Sequence, residues 1–297
     1  MKPLVSELFQ KGEPVQELLA QFTRHCNLRK AFDSMGGLPV ISPQPYTWEP
    51  LNAEGQLAQM ALRRQYLSFA GIARALLVDV PPTVLKEFDH QRLEVMELIN
   101  QERTARVNVA GALTAATGAL NDQLALLNRL YPSGAEERLF VVDTNALLAS
   151  PALEQWRFPA AQSFCILLTP TVSGELDSLK VNHRNAAVRD KAECLIRQIK
   201  DYRRRGRLTD GVTLAKDVSS IRALAIEPDV SRSLSWLDPA NKDDRFLASV
   251  MEVQRAHPRA SVCLVTEDLN LQTKAELAAV PFVEPPEPNQ EPGRGGG

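Results

Sequence analysis

The sequence predicts an α/β fold with a central parallel sheet, preceded by an all-α N-terminal domain. Three observations predict it. Beyond residue 136, short apolar runs rich in β-branched residues alternate with amphipathic stretches, the pattern of strands and crossover helices. The runs are continuous rather than alternating, as in strands covered on both faces. Before residue 132, apolar residues recur at three- and four-residue steps instead.

In the N-terminal half, Val5 to Phe22 has helical spacing through Leu8, Val15, Leu18 and Leu19. Gly36-Gly37, Pro39, Pro43, Pro45 and Pro50 mark an irregular connection. Leu57 to Val80 reads as a helix that Pro81-Pro82 stops, and Pro82 or Thr83 opens the next one. No proline follows until Pro132, so residues 83–131 read as one long helix. Leu113, Ala116, Leu120, Leu124, Leu127 and Tyr131 form a heptad-like stripe along it. The stripe packs within its own domain or serves as a self-associating arm. Gly111 and Gly118 weaken the arm, at about 1 kcal/mol each in a helix interior.

Pro132-Ser133-Gly134-Ala135 marks a boundary. The domains expected are 1–135, helical; 136–285, α/β; and 286–297, a disordered tail rich in proline, glycine and acid. In the second domain, Leu139 to Val142 is a strand that runs into Asp143-Thr144-Asn145. Phe164 to Leu168 is a second strand, followed by a helix carrying Glu175, Asp177 and Lys180. Asn185 to Arg204 is a long helix. Val212 to Ala215 is a short strand, and Ile221 to Ile226 fits strand or helix equally. Asn241 begins a helix through Asp243 and Asp244. Val262 to Val265 is a strand ending at Thr266-Glu267-Asp268, followed by a helix and a short Phe282-Val283.

Across 297 residues, 44% hydrophobic and 24% charged, the composition is that of an ordinary globular protein. A formal charge of −2 predicts no general attraction to nucleic acid, so any such contact needs a local patch. Four widely spaced cysteines form no C-x-x-C pair, and Cys165 and Cys263 sit in strand runs as small hydrophobes, which suits a reducing compartment. The N-terminus lacks the apolar run of a signal peptide, and no stretch is long enough to span a bilayer. A cytoplasmic location without membrane contact is the expectation.

The chemistry lies in the acids. Asp143 and Asp268 each follow a strand, and adjacent parallel strands would set them side by side at the carboxyl edge, where ligands sit in open α/β sheets. Glu175 lies early in a helix after a strand, and Asp243 and Asp244 lie in a first helical turn, where the helix dipole also favours acids. Any one of these is ordinarily a solvated cap. Four facing one crevice must share protons or hold a cation. Hard cations such as Mg²⁺ and Mn²⁺ take oxygen ligands and keep waters, and a phosphodiester can then be attacked by an activated water.

The segments FVVDTNALL, TPTVSGELDSLK, NKDDRFLASVM and CLVTEDLNLQTKAE resemble, in this order, those of the PIN-domain nucleases. The likeness is greatest to the larger PIN domains with E-L-D-x-L-K and D-D-R-I-L-like segments, and it covers residues 136–285. It implies a three-layer α/β/α sandwich and metal-dependent endonuclease activity, most often on RNA, with Mg²⁺ or Mn²⁺ as cofactor. It assigns catalytic and metal-binding roles to Asp143, Glu175, Asp243 and Asp268. Asp243 is preferred to Asp244 as the third acid, because it precedes Phe246 by three. Asn145 and Thr266 fit supporting positions, with Asp244 beside them, while Asp177 is turned away from Glu175. The long N-terminal half departs from the short toxin-type members; its helices could bind a protein partner, position substrate or hold a homo-oligomer.

Lys180 to Arg207 holds ten basic residues against three acidic ones, a local excess of seven positive charges. Lys180, Arg203, Arg204 and Arg205 are the candidate nucleic-acid contacts; a solvated helix face is the plain alternative. Competing functions are a structure-specific DNA nuclease, a non-catalytic scaffold binding RNA or protein, and a phosphatase of the haloacid dehalogenase type. The last needs a second acid two residues after Asp143, where Asn145 stands.

Overall fold

The computed structural model describes residues 4–30, 34–35, 38–39, 46–102, 106, 108–131, 137–159, 161–225 and 227–287. The chain divides into two compact units, residues 5–132 and residues 133–297 together with the first four. The expected boundary at 132–135 and all but the first two residues of the expected tail lie outside the described residues.

The first unit is built on four helices: α1 (Leu4–Thr23), α2 (Ala53–Leu76), α3 (Pro82–Ile99) and α4 (Val109–Leu130). Short antiparallel pairs, β1 (Leu28–Lys30) with β4 (Tyr46–Trp48) and β2 (Ser34–Met35) with β3 (Leu38–Pro39), lie between α1 and α2. The irregular connection expected there thus contains a little sheet. Asn52 caps α2 by accepting from the Gly55 amide at 2.8 Å, and Pro82 opens α3 at a position where no amide is needed.

The single helix expected over 83–131 is two helices. Asn100 closes α3, and Gln101 adopts φ 52°, which no helix tolerates. Asn108 then caps α4 through the Gly111 amide at 2.7 Å. Asparagine ends and starts helices as effectively as proline, and the proline-free run concealed this. The stripe on α4 is covered inside the unit: Ala116, Leu120, Leu124, Leu127 and Tyr131 are buried, with Phe88, Val95 and Ile99 of α3 and Tyr66, Phe69 and Leu76 of α2 in the same core. Two polar ties fix the packing. The Tyr131 hydroxyl donates to the Leu76 carbonyl at 2.8 Å, and Tyr66 donates to buried Gln123 at 3.2 Å.

The second unit is a six-stranded sheet of order β10-β9-β5-β6-β8-β7 flanked by helices. Its strands are β5 (Arg138–Val142), β6 (Phe164–Leu168), β7 (Val212–Ala215), β8 (Ser219–Ala223), β9 (Ser261–Val265) and β10 (Phe282–Val283). All pair in parallel except β7 with β8. This mostly parallel sheet with its helices is the α/β architecture expected. The antiparallel edge has a simple cause: only Lys216, Asp217 and Val218 separate β7 from β8, and a parallel return needs a crossover of about a dozen residues. Asp217 turns the hairpin at φ 59°.

The helices are α5 (Thr144–Ala149), α6 (Pro170–Asn182), α7 (Ala186–Arg205), α8 (Lys242–Ala256) and α9 (Leu269–Leu277). The buried runs of β5, β6 and β9 are covered on both faces, as their continuous apolar sequences require. Phe140 of β5 stacks on Phe158 at 4.1 Å, and Phe164 and Trp156 meet Phe158 edge-on. Cys165 and Cys263 are buried in the strands. From β5 the chain moves outward to β6 and on to the edge strand β7, turns back into β8 beside β6, then crosses through α8 to β9 on the other side of β5. The reversal of direction lies between β5 and β9, where an open sheet leaves a crevice at its carboxyl edge. Among the described residues, no helix is long and apolar enough to cross a membrane.

Candidate active site at the carboxyl edge of the sheet

Both central strands end in a residue that caps the following helix. Asp143, after β5, accepts from the Ala146 amide at 2.6 Å. Asp268, after β9, accepts from the Asn270 and Leu271 amides at 2.8 and 3.0 Å. Thr266 joins the two ends. Its hydroxyl, fully buried, donates to Asp143 Oδ2 at 2.5 Å and accepts from the Asp268 amide at 3.0 Å. The Asp143 amide donates to the Val265 carbonyl at 3.1 Å, which continues the ladder into the site.

A cleft of about 220 Å³ opens over these strand ends. Asp143, Glu175, Asp243 and Asp268 all line it, together with Thr144, Asn145, Thr171 and Lys242. Glu175 is held on α6 by the Thr144 hydroxyl, which donates to Oε2 at 2.6 Å, and by Lys242 Nζ 3.5 Å from Oε1. Asp243, in the first turn of α8, accepts from Asn270 Nδ2 at 3.0 Å and lies 3.6 Å from Lys274 Nζ. Asp244 faces the other way. It is buried, pairs with Lys274 at 2.7 Å and accepts from the Asp238 amide at 2.8 Å, outside the cleft lining. The 100° step between helical neighbours separates the two acids, one into the cleft and one into the protein.

Burial pushes the Asp143 carboxyl up to about 6 from its usual 3.8. The hydrogen bonds from Thr266 and Ala146 oppose this, and the charges of Asp268 and Glu175 add to it. Burial works against the charge of Lys274, yet Asp244 and Asp243 together hold its ammonium above the usual lysine value.

Among the described residues, no group of three or more His, Cys, Asp or Glu side chains stands ready to hold a metal ion. Each carboxylate in the cleft leans instead on a neighbour: Asp143 on Thr266, Glu175 on Thr144, Asp243 on Asn270, Asp268 on the start of α9. The donor set still suits a hard cation. Four carboxylates face the cleft against Lys242, with neither histidine nor cysteine in its lining, and Mg²⁺ is ordinarily held by one or two carboxylates with waters completing its shell.

Asn145 is exposed on the cleft lining, and the hydroxyls of Thr144 and Thr266 are what hold the carboxylates. Asp177 is exposed and outside the cleft. Lys180 and Arg203, Arg204 and Arg205 do not line it either. On the last turn of α7, Arg204 pairs with Asp201 at 2.8 Å, and Arg205 pairs with Glu154 at 3.3 Å and lies over the Tyr202 ring. The sequence reading missed Lys242, Lys274, Thr144 and Asn270. Asn270 and Lys274, four apart on α9, share a face and reach one carboxylate, a spacing visible in the sequence.

No curated protein matches the chain. The family model of the PIN domain matches residues 140–284, from the middle of β5 to just past β10. PIN domains are generally metal-dependent nucleases, often acting on RNA, and the mostly parallel sheet with its flanking helices is consistent with this match: residues 140–284 of the chain match the PIN-domain family.

Proposed function

We propose that the chain is a Mg²⁺- or Mn²⁺-dependent endoribonuclease. The observation that carries this reading is the arrival of Asp143, Glu175, Asp243 and Asp268, from four separate elements, in one cleft at the switch point of the sheet. Asp143 and Asp268 are the ligands with the firmest footing, since each is fixed by the helix it caps. Glu175 and Asp243 would complete the set of carboxylates around the ion. A divalent ion held there supplies Lewis-acid activation of water and neutralises charge on the phosphodiester.

The chain's own groups do the rest. Thr266 and the Ala146 amide fix both oxygens of Asp143, so the carboxylate meets an ion without reorganising. Thr144 orients Glu175 in the same way. Lys242, whose side chain is 67% exposed, stands beside Glu175 where a phosphate of the substrate would pass. The basic last turn of α7 holds backbone phosphates at a distance from the cleft.

The test is cleavage of labelled single-stranded RNA, with single-stranded and branched DNA beside it, with and without Mn²⁺. RNA cut only with metal, and not by Asp143→Asn, supports the proposal. Cutting by the variant at the wild-type rate, or cutting of DNA alone, rejects it.

A further inference from the structure

Among its described residues, the segment between β8 and α8 has no strand and one short 3-10 turn, Val230–Arg232, yet it is firmly held. Leu234 and Leu237 are buried and bracket a turn in which the Leu237 amide donates to the Leu234 carbonyl at 3.0 Å. The Asp238 amide is tied to Asp244 of α8 at 2.8 Å, and Arg255 Nη1 donates to the Arg232 carbonyl at 3.0 Å. At the apex of the turn, Trp236 is 44% exposed. An indole left in water on an anchored turn is an unused stacking face.

The turn borders an open groove of about 690 Å³, lined by apolar Leu234 and Leu237, by Ser231 and Ser235, and by Arg245 with the acids Glu227 and Asp229; Trp236 stands on the turn outside this lining. The groove is continuous with the carboxylate cleft. A smaller depression between them shares Thr171, Glu175 and Lys242 with the cleft, and Glu227 and Arg245 with the groove. Lys242 and Arg245 stand along the path from the cleft to the groove, each beside an acid, Glu175 and Glu227. Arg245 pairs with Glu227 at 3.5 Å with both side chains well exposed, an ion pair that a phosphate displaces at little cost.

We propose that the groove and Trp236 form a subsite for single-stranded nucleic acid, in which one base stacks on the indole while the connecting phosphates pass over Arg245 and Lys242. Two exposed cations whose ion pairs a phosphate can displace, apolar walls and an exposed aromatic face combine the contacts that single-strand binding uses. Ser231 and Ser235 offer hydroxyls to the edge of a base. The inference rests on the nuclease reading and extends it to where the strand leaves the cleft.

The test is a titration of the full chain, in EDTA, with single-stranded oligouridine of about twelve nucleotides, within the usual site size. Tryptophan emission should be quenched. Trp236→Ala should lose the quenching and bind about tenfold more weakly, the effect of one lost stacking contact. Trp236→Phe, which keeps a ring, should bind close to wild type, and Arg245→Ala should reduce the salt dependence by about one phosphate. If the wild type cuts or binds RNA and Trp236→Ala binds equally well, the subsite is wrong and the nuclease reading stands. If the wild type neither binds oligouridine nor cuts RNA with Mn²⁺, both fall.

Discussion

The Thr266 hydroxyl donates to Asp143 Oδ2 at 2.5 Å across 123 residues of sequence. It also accepts from the Asp268 amide, so one side chain sets both strand-end acids. Thr266→Val keeps the shape and removes both contacts. A buried carboxylate left without its donor should cost about 1–3 kcal/mol, measured by denaturant titration at neutral pH. Because Thr266 works to lower the Asp143 pKa, its loss should raise it above about 6. The acid limb of the pH–rate profile should therefore move to higher pH.

Asp143→Asn should stabilise the protein while abolishing cleavage. The folded-state pKa of about 6 lies above the usual 3.8, so the folded state binds the proton more tightly than the unfolded one. The contribution of Asp143 to stability is then greatest below pH 4, falls as pH rises from about 4 to 6, and stays low above that. The gap between the two values corresponds to roughly 3 kcal/mol. Asparagine carries no charge to desolvate and can still accept from the Ala146 amide. Its advantage should appear as a higher Tm at pH 7 that vanishes near pH 4.

Lys274 is the partner of a buried acid. Its side chain and that of Asp244 are 18% and 8% exposed. Lys274→Met leaves Asp244 charged and buried, and should cost about 3 kcal/mol. Combining it with Asp244→Asn should recover part of the loss, and a double-mutant cycle by thermal unfolding measures how much.

The basic turn of α7 makes a separate prediction about binding. Converting Arg203, Arg204 and Arg205 to alanine should weaken binding of single-stranded RNA and lower the slope of log K against log salt by about 2, as three phosphate contacts require. None of the three lines the cleft, so the cleavage rate at saturating RNA should persist. An unchanged slope would show a solvated helix face.

The strands and the four acids were legible because buried parallel strands write themselves as unbroken apolar runs, and an acid at the end of such a run is conspicuous. The sequence alone sets Asp143 and Asp268 side by side, since β5 and β9 read alike. Asparagine punctuation was not legible: Asn100 and Asn108 divide α3 from α4, whereas the proline-free sequence reads straight through. Nor was the pairing of Lys274 with Asp244, because a lysine six residues beyond an acid reads as an ordinary helix surface. The 227–239 segment carries no periodicity at all. Its order comes from single anchors, Leu234, Leu237 and the Asp238 amide, which only the fold reveals.

The place of β9 in the sheet has a consequence for biosynthesis. It lies between β5 and β10, yet is made well over a hundred residues after β5. A growing polypeptide that has already delivered Asp143 and Glu175 holds them with a gap where the neighbouring strand belongs. It has neither the hydroxyl that seats the first acid nor the fourth carboxylate. The four acids of the cleft can therefore come together only after Thr266 and Asp268 have been made, near the end of the chain.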